Sequence, residues 1–154
     1  MKRIASTCLV ALALAAPAVA FAEASEYQPR AEATASDYDD ALKAINRKDW
    51  RKAITSLESA ARVDPSNADI QNLLGYSNRK NGNLDAAFKH YDRALQLNPK
   101  HLGAHEYVGE AYLMAGKPAK AREHLATLER LCPATCEQRE LLKKAIADYE
   151  AKPR

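Results

Sequence analysis

Beyond its first two dozen residues the chain has no apolar run that could span a bilayer, which takes about 20 such residues. Cysteine is scarce: three in 154 residues, at 8, 132 and 136. None has the Cys-x-x-Cys-His spacing of a haem attachment site, and Cys132 and Cys136 are not the Cys-x-x-Cys of a thiol oxidoreductase. There are five glycines, and no phosphate-cradling loop is built from them. No Ser or Thr motif marks a nucleophile. The stretch His105-Glu106-Tyr107-Val108-Gly109 puts glycine where a His-Glu-x-x-His metalloprotease needs its second histidine. Neither sign of charge dominates, with 23 Lys and Arg against 20 Asp and Glu, net +3. That balance gives no support to nucleic-acid binding, which needs a clustered basic face. Together these absences argue against an enzyme and against a resident cofactor or metal.

The N-terminus does carry a signal. Lys2 and Arg3 precede an apolar run, Leu9 to Ala16, then Pro17 and the small-x-small patterns 18–20 and 20–22. That order is the layout of a secretory signal peptide, cut after Ala22 or, as the alternative, after Ala20, and it implies export of the mature chain across the inner membrane to the periplasm. Removing 22 of 154 residues leaves 132 and lowers the charge from +3 to +1. Cys8 departs with the signal. Residues 23–35, polar and Ala-rich with Pro29, read as a flexible leader.

The rest of the chain follows a ruler. Pro65, Pro99 and Pro133 are spaced by 34 residues. Aligned on them are Ala53, Ala87 and Ala121; Leu57, Tyr91 and Leu125; Ala60, Ala94 and Leu128; and Gly75 with Gly109. A period of this size marks a stacked array. Each unit reads as two helices. Ile70, Leu73, Leu74 and Ser77 make one stripe, and Ala87, Tyr91, Ala94 and Leu95 the next, with Asn81-Gly82-Asn83 between them. Asp49 and Asn83 are placed to cap second helices, Gly116 breaks the third unit, and Pro118 suits a first turn. The small residues Gly75, Ala87, Gly109 and Ala121 let paired helices approach. After Pro133, Thr135 and Gln138 match a capping box opening a last helix, with Leu141, Leu142, Ala145, Ile146 and Tyr149 on its apolar side.

The segments 72–99 and 105–133 resemble tetratricopeptide repeats, whose pattern places Leu-Gly in the first helix, Ala, a large residue and Ala in the second, and a closing Pro; the later segment has Val108-Gly109 and Leu128 at two of these places. The first unit matches only through Ala53, Leu57, Ala60 and Pro65. The resemblance implies an all-α chain: a right-handed α-solenoid of three helix pairs, over about 34–65, 68–99 and 102–133, with a capping helix over 134–151. It also implies a protein–protein interaction module whose first helices line a concave groove. The groove positions fall on Tyr38, Leu42, Asn72, Tyr76, Arg79, Glu106, Glu110 and Leu113. The Lys, Asn and Arg set with which some family members clamp a terminal carboxylate is absent, and Glu106 and Glu110 bring the opposite charge. An extended or helical segment making polar and aromatic contacts fits better. The partner is therefore a protein or peptide, with no nucleic acid and no membrane span in the mature chain.

Two motifs fall outside this frame. His101 and His105, at i and i+4, have the spacing of two metal ligands but no third, and read as surface-helix residues. His90 and His124 look isolated. Cys132 ends one helix and Cys136 opens the next, with Pro133 bending the chain between them. An oxidising compartment favours a disulfide staple there, worth about 2 kcal/mol for so short a loop. A copper site on two thiolates, or a redox role in copper or cytochrome maturation, is the alternative. Thiol counting on denatured, unreduced protein taken from the periplasm separates these. None is expected, and two free thiols would exclude the staple.

Overall fold

The computed structural model describes residues 29–152 apart from Pro133, with side chains from Ala35 onwards. The signal peptide, most of the leader and the bend at Pro133 lie outside the described residues. Seven helices follow in order: α1 (Pro29–Asn46), α2 (Trp50–Val63), α3 (Ala68–Lys80), α4 (Leu84–Leu97), α5 (Leu102–Met114), α6 (Pro118–Leu131) and α7 (Glu137–Glu150). The described chain contains no strand, and none of these helices is long and apolar enough to cross a membrane.

The expected flexible leader is corrected over its last residues, because α1 starts at Pro29. Proline suits a first helical turn, and the Ala-rich stretch that follows has high helix propensity. The capping box is corrected too. The cap of α7 is Cys136 and makes no side-chain capping bond, so Thr135 stands one residue too early. Elsewhere the local chemistry is direct. Asp49 accepts from the Lys52 amide at 3.1 Å, Asn67 from Asp69 and Ile70, and Asn83 from Ala86 at 3.2 Å. The Nδ1 of His101 accepts from Ala104 at 3.2 Å and caps α5. Each bond satisfies an amide that the first helical turn leaves unpaired.

The helices pair as α1 with α2, α3 with α4 and α5 with α6, and each second helix packs on the next first helix. First helices also touch one another, α3 with α5 and α5 with α7, while α2, α4 and α6 make no comparable contact. The layer of first helices is therefore the shorter one, and the array curves with α3, α5 and α7 on its inner side.

No pair closes its own core. Ala41, Leu57 and Ala60 bury against Ile70 and Leu74 of the next pair. Ala87 and Tyr91 of α4 bury against Val108 and Ala111 of α5. Leu113, Ala121 and Leu128 bury against Leu142 and Ile146 of α7. At about 25 cal/mol per Å² of apolar surface, each of these shared layers outweighs any single cap. Leu142 and Ile146 carry the apolar side of α7, with Ala145 and Tyr149 half-buried; Leu141, expected there, is 43% exposed.

The two helix-A glycines make different approaches. A Cβ at Gly75 would fall 2.5 Å from the Tyr91 ring of its own unit. At Gly109 it would fall 2.6 Å from Leu142 of α7, so this glycine seats the cap rather than its paired helix. The turns within the pairs keep the 34-residue register in a less visible way. Gly82 and Gly116 hold φ of 86° and 71°, and the matching residue of the first pair is Lys48 at 58°. A side chain there costs about 1 kcal/mol relative to glycine. Lys48→Gly is expected to raise the unfolding free energy by up to about 1 kcal/mol, read from denaturant midpoints; a fall would show that Lys48 is held by something other than the turn.

Candidate functional site

The inner face is built on α3, α5 and α7. Ala68–Lys80 presents Asn72, Tyr76 and Arg79 at helical spacing, and Leu102–Met114 presents Glu106, Glu110 and Leu113 in the same way. Tyr76 anchors a row of rings. Its centroid lies 5.9 Å from Trp50, edge to face, and 4.9 Å from Tyr107. Arg79 sits over Tyr76 at 5.5 Å and Tyr107 at 5.7 Å, and the Lys80 ammonium lies 5.8 Å from the Tyr76 centroid.

Arg79 is the most engaged side chain of this face, at 6% exposure. Its Nη1 is 2.6 Å from Glu110 Oε2, and its Nε donates to the Tyr91 hydroxyl at 3.3 Å. Burial alone would weaken its charge, but Tyr91 and Glu110 outweigh that and hold its pKa above the ordinary value. Tyr91 and Tyr107 are shifted upward, chiefly by burial, Tyr107 to about 12. Glu106 is 5% exposed, and burial with Glu110 beside it raises its pKa to about 7.

A cavity of about 430 Å³ opens where the three helices meet. Arg79, Glu110, Leu113 and Met114 form one wall, and Ala145, Asp148, Tyr149 and Lys152 form the other. Met114 is 56% exposed at its mouth. Of the eight groove residues expected from sequence, Asn72, Tyr76, Arg79, Glu106, Glu110 and Leu113 lie along α3 and α5, and three of them line this cavity. Tyr38 instead packs against the first core, and Leu42 is exposed; neither reaches the cavity. The α7 wall was missed. Its residues read as a cap because Ala145, Ile146 and Tyr149 share one stripe, and only packing shows that the stripe's edge faces the groove.

The chain matches the tetratricopeptide repeat family over residues 43–101 and again over 78–131. It belongs to that family. Among tetratricopeptide repeat proteins of known structure it is similar to the Arabidopsis OM64 domain, with TM-score 0.70 and 17% identity over 78% of this chain and 98% of that one. It is also similar to the first such domain of Spaghetti (RPAP3) bound to an HSP90 peptide, SRMEEVD, with TM-score 0.68 and 18% identity over 79% and 95%. At these identities the likeness is one of fold. A human relative, Protein O-mannosyl-transferase TMTC3, is 30% identical over 93 residues, 60% of this chain. The chain spans 10% of that protein's length.

Within this tetratricopeptide array the histidines are not surface residues. His105 is 7% exposed, and its Nδ1 lies 2.9 Å from His124 Nδ1 across the third pair. Its Nε2 is 3.0 Å from the Pro99 carbonyl, which can only accept. His105 therefore carries its proton on Nε2, and His124 donates from Nδ1. Burial and His105 lower the His124 pKa to about 4. One unit earlier, His90 Nδ1 meets Gln71 Oε1 at 2.9 Å. Gln71 and His105, like His90 and His124, are 34 residues apart. The array thus repeats a polar bridge between paired helices, and alignment on the prolines would have exposed it. His101 is spent on its cap, with Nε2 3.0 Å from Asp69.

Glu106 gives a pH test. Its folded pKa lies above its ordinary 4.5, so its contribution to stability is full below about 4.5 and is lost as pH rises through about 7. Glu106→Gln is expected to match the wild type in thermal unfolding at pH 5 and to be more stable at pH 8, by about 2 kcal/mol after allowance for the solvent the carboxyl still reaches. Equal stability at both pH values would contradict the burial argument.

Proposed function

We propose that this chain is a non-enzymatic interaction module, an adaptor or assembly factor that binds a peptide or protein segment along its inner face. The observation that carries this reading is the row from Trp50 through Tyr76 and Tyr107 to the 430 Å³ cavity. Aromatic rings and a polarisable methionine at a cavity mouth are what a bound side chain packs against at low entropic cost. Tetratricopeptide neighbours bound to short peptides support it by fold. An acidic tail like SRMEEVD is disfavoured here, because Glu106 and Glu110 occupy the face and Arg79 is already paired with Glu110. The TMTC3 likeness leaves the non-enzymatic reading in place, since it spans only a tenth of that transferase.

The signal-like order of residues 1–22 supports a place in the cell envelope. The Cys132 and Cys136 sulfurs lie at bonding distance with Cα atoms 5.7 Å apart, which supports a staple between α6 and α7. A metal or redox role for that pair would have to break this link. The test is affinity capture from envelope extract, with wild type and Tyr76→Ala/Met114→Ser compared side by side. The variant is expected to lose the specific partners while keeping its melting temperature within a few degrees. Recovery of the same partners in equal amount would refute binding by this face.

A further inference from the structure

The inner seam between α3 and α5 carries hydrogen-bond acceptors that lack donors. Asn72 is 6% exposed, and its Oδ1 has no hydrogen-bond partner among the described residues. Its amide lies against α5, with Nδ2 within 3.3 Å of where a Cβ on Gly103 would stand. Glu106 follows three residues later on the same face of α5. It is 5% exposed and makes no hydrogen bond or ion pair among the described residues. Glu110 comes one turn further and gives Oε2 to Arg79. The Tyr76 and Tyr107 rings flank the seam, and their faces attract cations.

The charges nearby have one net sense. Glu106, Glu110 and Glu137 act on this spot, against Arg79, which is held by Glu110, and Lys80 over Tyr76. An acceptor buried without a donor is costly, and Asn72 Oδ1 beside the unpaired Glu106 carboxyl favours a group rich in donors. Burial and then Glu110 lift the Glu106 pKa; a carboxylate from a partner would add to that repulsion, and an ammonium or guanidinium would offset it.

We propose that the α3/α5 seam takes a lysine or arginine side chain of the bound segment. That segment's neighbouring apolar side chain seats in the adjoining cavity against Leu113, Met114, Ala145 and Tyr149. The inference rests on the inner face being the binding surface. Ammonium and guanidinium groups supply the donors that both Asn72 Oδ1 and the Glu106 carboxylate lack, and charge-assisted bonds to a carboxylate are the stronger class. The partner is thus a basic and apolar segment, opposite in charge to an acidic tail.

The test titrates the full-length protein with three labelled, C-terminally amidated peptides by fluorescence anisotropy at low salt. In the first, lysine alternates with leucine; the second has glutamate for lysine; the third has serine for leucine. The first is expected to bind about tenfold tighter than either of the others. Glu106→Gln, which keeps the side-chain shape, is expected to erase the preference for lysine over glutamate. Equal binding of the lysine and glutamate peptides, or an unchanged preference in Glu106→Gln, would overturn the seam assignment and leave the inner face standing. If no peptide binds while Tyr76→Ala/Met114→Ser still loses its captured partners, the seam chemistry alone is wrong. If no peptide binds and capture is indifferent to that variant, both readings fail.

Discussion

Each helix pair leaves an apolar face that only the first helix of the next pair can cover, and this sharing of cores governs the rest of the molecule. Leu57 needs Ile70 and Leu74; Tyr91 needs Val108 and Ala111; Leu128 needs Leu142 and Ile146. Stability in such an array is a sum of neighbour interfaces. The last interface therefore needs a helix with no partner of its own, and α7 fills that place. Because it is seated on Gly109 through Leu142, α7 lies against α5 as well as α6. Its position on the inner side turns a terminal cover into a wall of the cavity.

Burial on the inner face is also what gives it chemistry. Arg79 is nearly inaccessible, so its charge is worth keeping only with Glu110 and the Tyr91 hydroxyl against it. A partly buried pair of this kind adds little net stability, but removing Glu110 would leave the buried Arg79 charge uncompensated, so the contacts tie α3 to α4 and α5. Arg79, expected at a groove position, is thus tied into the helix packing while it also lines the cavity. Beside it, Asn72 Oδ1 is left with no hydrogen-bond partner among the described residues.

Much of this was legible in sequence because the repeat is periodic. Thirty-four-residue spacing located the helix pairs, Asn83 and Asp49 stood where caps belong, and six of eight groove residues lie along α3 and α5. The failures are equally specific. The His105–His124 bridge was hidden because pairing across two helices leaves no local pattern, although its echo at Gln71 and His90 was there to be aligned. Tyr38 and Leu42 lie on α1, outside the cavity that α3, α5 and α7 form. The start of α1 was misread because an alanine-rich stretch with scattered polar residues satisfies both a leader and a helix.

By itself the sequence determined the elements and their order: periodicity, caps and turn residues act over a few residues, and those forces are local. The tertiary structure alone decided which polar groups end up paired, because pairing depends on distances between helices that no spacing along the chain encodes. It placed Arg79 against Glu110, left Asn72 Oδ1 without a donor among the described residues, and brought the edge of α7 into the cavity wall. Low dielectric and close packing make those choices matter, since the same residues on a solvated helix would each have found water.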